Sequence, residues 1–86
     1  MANIAYKAIQ PTGDYIDLAT EMGITFTVDT KYQIQIQNSA IICVSANKPT
    51  KGGFYIPNDT PFGYTHIGDT LWLKANQEVV VNIAEG

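Results

Sequence analysis

Residues 31–38 read Lys-Tyr-Gln-Ile-Gln-Ile-Gln-Asn, with Tyr32, Ile34 and Ile36 at every second position and Gln33, Gln35 and Gln37 between them. Successive side chains of a β-strand point to opposite faces, so this spacing gives one apolar face and one wet face. An antiparallel sheet with a solvated side has this pattern. Residues 24–28, Ile-Thr-Phe-Thr-Val, repeat it and predict a second strand, with Asp29-Thr30 as the turn between the two. Thr25 and Thr27 are β-branched, so the polar face of that segment also favours a strand.

Residues 40–46 are apolar at consecutive positions as far as Val44, which predicts a strand covered on both faces or one whose outer face meets a partner. Pro49 and the pair Gly52-Gly53 punctuate a loop over 47–53. Phe54-Tyr55-Ile56 is a short strand stopped by Pro57, and 58–63 is a second loop. Residues 70–75 and 78–83 are two further strands, joined at hairpin length by Asn76-Gln77.

The amino-terminal quarter is less regular. Residues 14–18 alternate weakly as a strand, while 17–22 also fit one helical turn capped by Gly23; with every later element a strand, the strand reading is preferred. Residues 1–12 form either an edge strand or an extended arm, hinged at 10–13 and carrying Ile4, Tyr6 and Ile9. As an arm they would be dispensable for the fold. About six to eight short strands separated by turns predict an all-β fold, an antiparallel, jelly-roll-like β-sandwich over residues 13–86. A parallel βαβ arrangement fails because no segment has helical period at crossover length.

Composition narrows the partners. A chain of 86 residues is one domain, and it buries only ~60–65% of the surface its unfolded form exposes. Cys43 is the only cysteine and His66 the only histidine, so neither an internal disulfide nor a zinc-type cluster can reinforce the core. Assembly is the expected source of extra stability. Five lysines face eight carboxylates, the net charge is −3, and there is no arginine. Phosphate and base recognition lean on clustered Lys and Arg, so nucleic acid is not an expected partner. No apolar run approaches the ~20 residues needed to span a bilayer, and the first residues carry no export signal. The expectation is a protein made in a reducing cytoplasm with no membrane partner.

No motif brings catalytic groups together. His66 would need an activated nucleophile and an orienting carboxylate, so a structural role is preferred. Cys43 lies within an apolar run, where a free cysteine behaves as a small buried hydrophobe. Asp14, Asp17 and Glu21 do not have the spacing of a calcium loop. Gly52-Gly53 lacks the residues of a phosphate cradle and suits a turn that needs positive φ. No catalytic residue, cofactor or metal is therefore expected. Trp72 lies on the face opposite Leu71 and Leu73, and ordinary core is its preferred placement. If it and Tyr55 are exposed instead, they would make anchors for a protein partner or stacking platforms for sugar.

The order of these segments resembles small virion proteins of tailed bacteriophages. The similarity runs through Tyr15 to Leu18, Gly23 to Val28 and Thr30 to Asn38. It continues through Ile41 to Ala46, Pro49, Gly53-Phe54-Tyr55-Ile56-Pro57, Leu71-Trp72-Leu73, and Val79 to Gly86. The resemblance implies a β-sandwich head decoration (cement) protein that sits as homotrimers on the major capsid protein and strengthens the shell without chemistry. Ile4, Tyr6, Ile9, Tyr55 and Trp72 are the residues expected to make protein contacts. A tail-fibre or tailspike accessory module that binds glycan or a tail protein is the alternative, and outward aromatics beside Asn or Asp would favour it. A small hydrolase using His66 as its base is a third, and it needs a concave pocket there.

Overall fold

A computed structural model describes residues 3–11 and 13–86, with side chains from residue 5 onward. Eight strands and one short helix follow in the order β1 (Asn3–Ile9), β2 (Ile16–Asp17), α1 (Leu18–Met22), β3 (Lys31–Gln37), β4 (Ala40–Ser45), β5 (Phe54–Ile56), β6 (Phe62–Thr65), β7 (Thr70–Lys74) and β8 (Val79–Glu85). They form two four-stranded sheets, sheet A in the order β1-β8-β3-β6 and sheet B in the order β2-β7-β4-β5. All strand pairs are antiparallel.

That order has a simple origin. β1 pairs with β8, β2 with β7, β3 with β6 and β4 with β5, as the rungs of one long hairpin folded at its middle. Rolling that hairpin adds the contacts β8·β3 and β7·β4 and distributes the rungs alternately between two sheets. The result is the jelly-roll form of the antiparallel sandwich.

Alternation sets which face is buried. Tyr32, Ile34 and Ile36 of β3, Leu71 and Leu73 of β7, and Val79, Val81 and Ile83 of β8 all point into the space between the sheets. Leu18, Ile9 and Ile42 join that cluster from α1, β1 and β4. β3, β7 and β8, each flanked by a strand on both sides, carry the strictest patterns, while β4, also central, is apolar at consecutive positions.

Three expectations need correction. Residues 18–22 are helical and the strand before them is only two residues long. Asp17 caps the helix by accepting a bond from Thr20 N, and Gly23 closes it at φ +73°. Residues 24–28 belong to no strand. Phe26 is instead buried edge-on against Tyr32 and Tyr64, with ring centroids 4.8 and 5.3 Å away, and Thr27 N donates to the Tyr32 phenol at 2.7 Å. The alternation there reflects a segment that inserts one side chain into the end of the sandwich. Trp72 is not core: it is half-buried on the outer face of sheet B, and its indole N–H donates to Ser45 O at 3.0 Å.

Of the two placements open for residues 1–12, β1 takes the edge strand, joined to β8 at six register positions. Lys7 ties it further to α1, donating to Glu21 O at 2.9 Å and meeting the Glu21 carboxylate at 3.5 Å. β6 starts at Phe62, inside the segment expected to be loop.

Candidate functional site

The two sheets present different outer faces. On sheet A the outward positions are Tyr6 and Ala8 of β1, Val80, Asn82 and Ala84 of β8, Gln33, Gln35 and Gln37 of β3, and Gly63 and Thr65 of β6. Their side-by-side placement follows from the pairs Tyr6↔Asn82, Gln35↔Asn82, Gln33↔Ala84 and Gln33↔Gly63. Lys31, at the rim, is the only charged residue among the described outward positions of these strands. In a chain of net charge −3, a sheet face made of carboxamides, small apolar groups and one tyrosine is a segregated feature. Charge depletion with aromatic enrichment is the compositional mark of a protein interface.

Sheet B is covered by the chain itself. Tyr15 is buried against its outer face, and its hydroxyl donates to Gly52 O at 2.6 Å. Asp14 meets Lys48 at 2.8 Å, and that ammonium, with the Tyr15 backbone N–H, holds the Asp14 carboxyl below its ordinary pKa. These contacts strap the 46–53 loop down beside Trp72 and Cys43, which are register partners on β7 and β4. Cys43 is consequently half-buried and not sealed in the core. The apolar run of β4 thus finds much of its cover within the chain, through Ile42 on the inner face and the strap on the outer.

The residues expected to make contacts are spread over different surfaces. Tyr6 is 65% exposed on sheet A, and Tyr55 is 65% exposed on β5 beside Phe54. Ile9 is a correction: it points inward and is 3% exposed, so it offers nothing to a partner. Trp72 is half-buried on the outer face of sheet B, its indole N–H bonded to Ser45 O. The side chain of Ile4 lies outside the described residues. Tyr6 and Tyr55 therefore belong to opposite sheets, and no single patch joins them. Tyr15 and the glutamine row of β3 had not been marked as site residues. The glutamines were visible as the polar half of the alternation, but their segregation from charge appears only once β8 and β1 are placed beside them.

His66 stands at the end where Phe26 inserts. Its Nδ1 is 2.7 Å from the Tyr64 hydroxyl, and burial, with Asp69 nearby, pushes that phenol above its usual pKa. The phenol donates to Nδ1 where the ring carries its hydrogen on Nε2, and accepts from Nδ1 in the other tautomer. A hollow of about 260 Å³ lies against His66, Asp17 and Asp69. No carboxylate among the described residues hydrogen-bonds the ring, and Asp17 is engaged in capping α1. Asp14, Asp17 and Glu21 each have a separate partner, in Lys48, Thr20 N and Lys7. No group of three or more His, Cys, Asp or Glu side chains that could hold a metal ion occurs among the described residues. No helix among them is long and apolar enough to cross a membrane. No family model, curated protein or solved structure matches the chain.

Proposed function

We propose that this protein is a structural component of a bacteriophage virion, a capsid decoration (cement) protein that docks on the major capsid protein through the outer face of sheet A. The observation that carries the reading is the charge-free set Tyr6, Ala8, Gln33, Gln35, Gln37, Val80, Asn82 and Ala84, continuous across β1, β8 and β3. Carboxamides on such a face can exchange water for backbone or side-chain partners without stranding a buried charge. The order of segments along the chain points the same way, and jelly rolls recur among viral capsid proteins. A fold alone assigns no function, so the weight rests on the face.

The homotrimer belongs to the same proposal, and it rests on the resemblance. The apolar run of β4 gives it little further support, because the strap and Tyr15 already cover much of that strand's outer face. Purified particles of the phage that encodes the chain should contain it in a fixed ratio to the major capsid protein. Its absence from particles, or its presence with tails alone, contradicts the reading.

A further inference from the structure

The turns at one end of the sandwich hold most of their polar side chains in place. Asn38 Nδ2 donates to Glu78 O at 2.8 Å, Asn38 N donates to Asn58 Oδ1 at 2.6 Å, and Gln10 Nε2 donates to Glu78 Oε2 at 2.6 Å. Ser39, Asn76 and Gln77 are different. Their side chains have no hydrogen-bond partner among the described residues, and all three line one open groove of about 360 Å³ on the sheet B side of the molecule. Ile41, Tyr55 and Lys74 line the same groove. Tyr55 is exposed, and its phenol has no hydrogen-bond partner among the described residues. Lys74 makes no salt bridge among the described residues and holds its ammonium 5.5 Å from the centre of the Tyr15 ring.

A flat ring standing free offers a stacking surface to the C–H face of a sugar. Two carboxamides and a hydroxyl supply donors and acceptors together, which neighbouring sugar hydroxyls require. The Lys74 ammonium, which lies over the Tyr15 ring but makes no salt bridge among the described residues, adds a site for one negative charge. The groove is near the small end of the range for ligand sites, a size for one or two rings and not for a folded partner. We propose that it binds a pyranose unit bearing a carboxylate, as part of an acidic glycan. Tyr55 stacks on the ring, Ser39, Asn76 and Gln77 pair with its hydroxyls, and Lys74 meets the carboxylate. The inference is independent of the docking role of sheet A, since the groove opens on the other sheet.

The test is amide chemical-shift titration of the full chain with methyl β-glucuronide, methyl α-sialoside and neutral methyl β-glucoside. At least one acidic glycoside should give saturable shifts centred on Ser39, Tyr55, Lys74, Asn76 and Gln77. Tyr55→Ala, which removes an exposed side chain and whose spectrum reports its own fold, should weaken that binding by about tenfold or more. Lys74→Gln should abolish the preference over the neutral glycoside. The proposal is overturned if neither acidic glycoside gives a saturable shift in this cluster. Binding that survives Tyr55→Ala, or equal affinity for the neutral sugar, also overturns it.

Discussion

Gly53 holds φ at +117°, and a Cβ there would run into the Ile42 carbonyl oxygen and lie 2.8 Å from Ile41 Cγ2. Its neighbour Gly52, at φ +87°, has open space around the same position. Gly53→Ala therefore adds a collision to the conformational strain, and should cost about 2–3 kcal/mol against about 1 kcal/mol for Gly52→Ala. Urea unfolding midpoints of the two variants would test that order. The sequence marks both glycines as one turn; only the pairing of β5 with β4 shows which of them is pressed against a neighbouring strand. Tyr64 is the residue with a readable pH signature. Its folded-state pKa is raised above the ordinary 10.0, so the folded state retains a proton that the unfolded state has lost. The stabilisation is complete below pH ~10 and is lost as pH rises through the folded pKa. Tyr64→Phe should flatten the part of the alkaline stability loss that starts near pH 10, as followed by thermal melting. An unchanged slope would assign that loss to other groups.

At the scale of elements, the strap over sheet B is the feature that patterning could not supply. The period of two placed Trp72 opposite Leu71 and Leu73, which was correct. The cover for that face comes from the 46–53 loop and from Tyr15, which bonds across 37 positions of sequence, and no local pattern encodes such a contact. Tyr15→Phe keeps the ring and removes the bond to Gly52 O. It should cost about 1 kcal/mol and make Trp72 fluorescence more accessible to acrylamide; unaltered quenching would mean that the strap holds without this bond. The Asp14–Lys48 contact is exposed and adds little. It is present above the ordinary Asp pKa of 3.8 and is lost as pH falls through the lowered folded value. Residues 18–22 teach the reverse lesson. Gly23 was legible as the cap of a helical turn, and that local signal was outweighed by the prevalence of strands elsewhere in the chain. Phe26 misled because alternation has no means of telling a strand from an extended segment that plugs the end of a sandwich.

At the scale of the molecule, the jelly roll makes both the first and the last strand structural. β8 lies between β1 and β3, so the last strand is central to sheet A while the first is its edge. Alternation in β3, β7 and β8 made the sandwich legible, but strand order depends on long-range pairing that the sequence does not display. β1 contributes six paired positions and the buried Ile9. Deleting residues 2–9 should therefore destabilise the whole sandwich, seen as collapse of amide dispersion, and a retained native spectrum would return those residues to the status of an arm. The central claim is docking by the outer face of sheet A, which is free of charge apart from Lys31 at its rim. The most direct measurement compares particle attachment of Gln35→Glu, which puts a charge mid-face, with Thr50→Glu on the strap as control. The account predicts a loss of about tenfold or more for Gln35→Glu, ~1.4 kcal/mol, with Thr50→Glu unchanged. Undiminished attachment of a folded Gln35→Glu protein would contradict it.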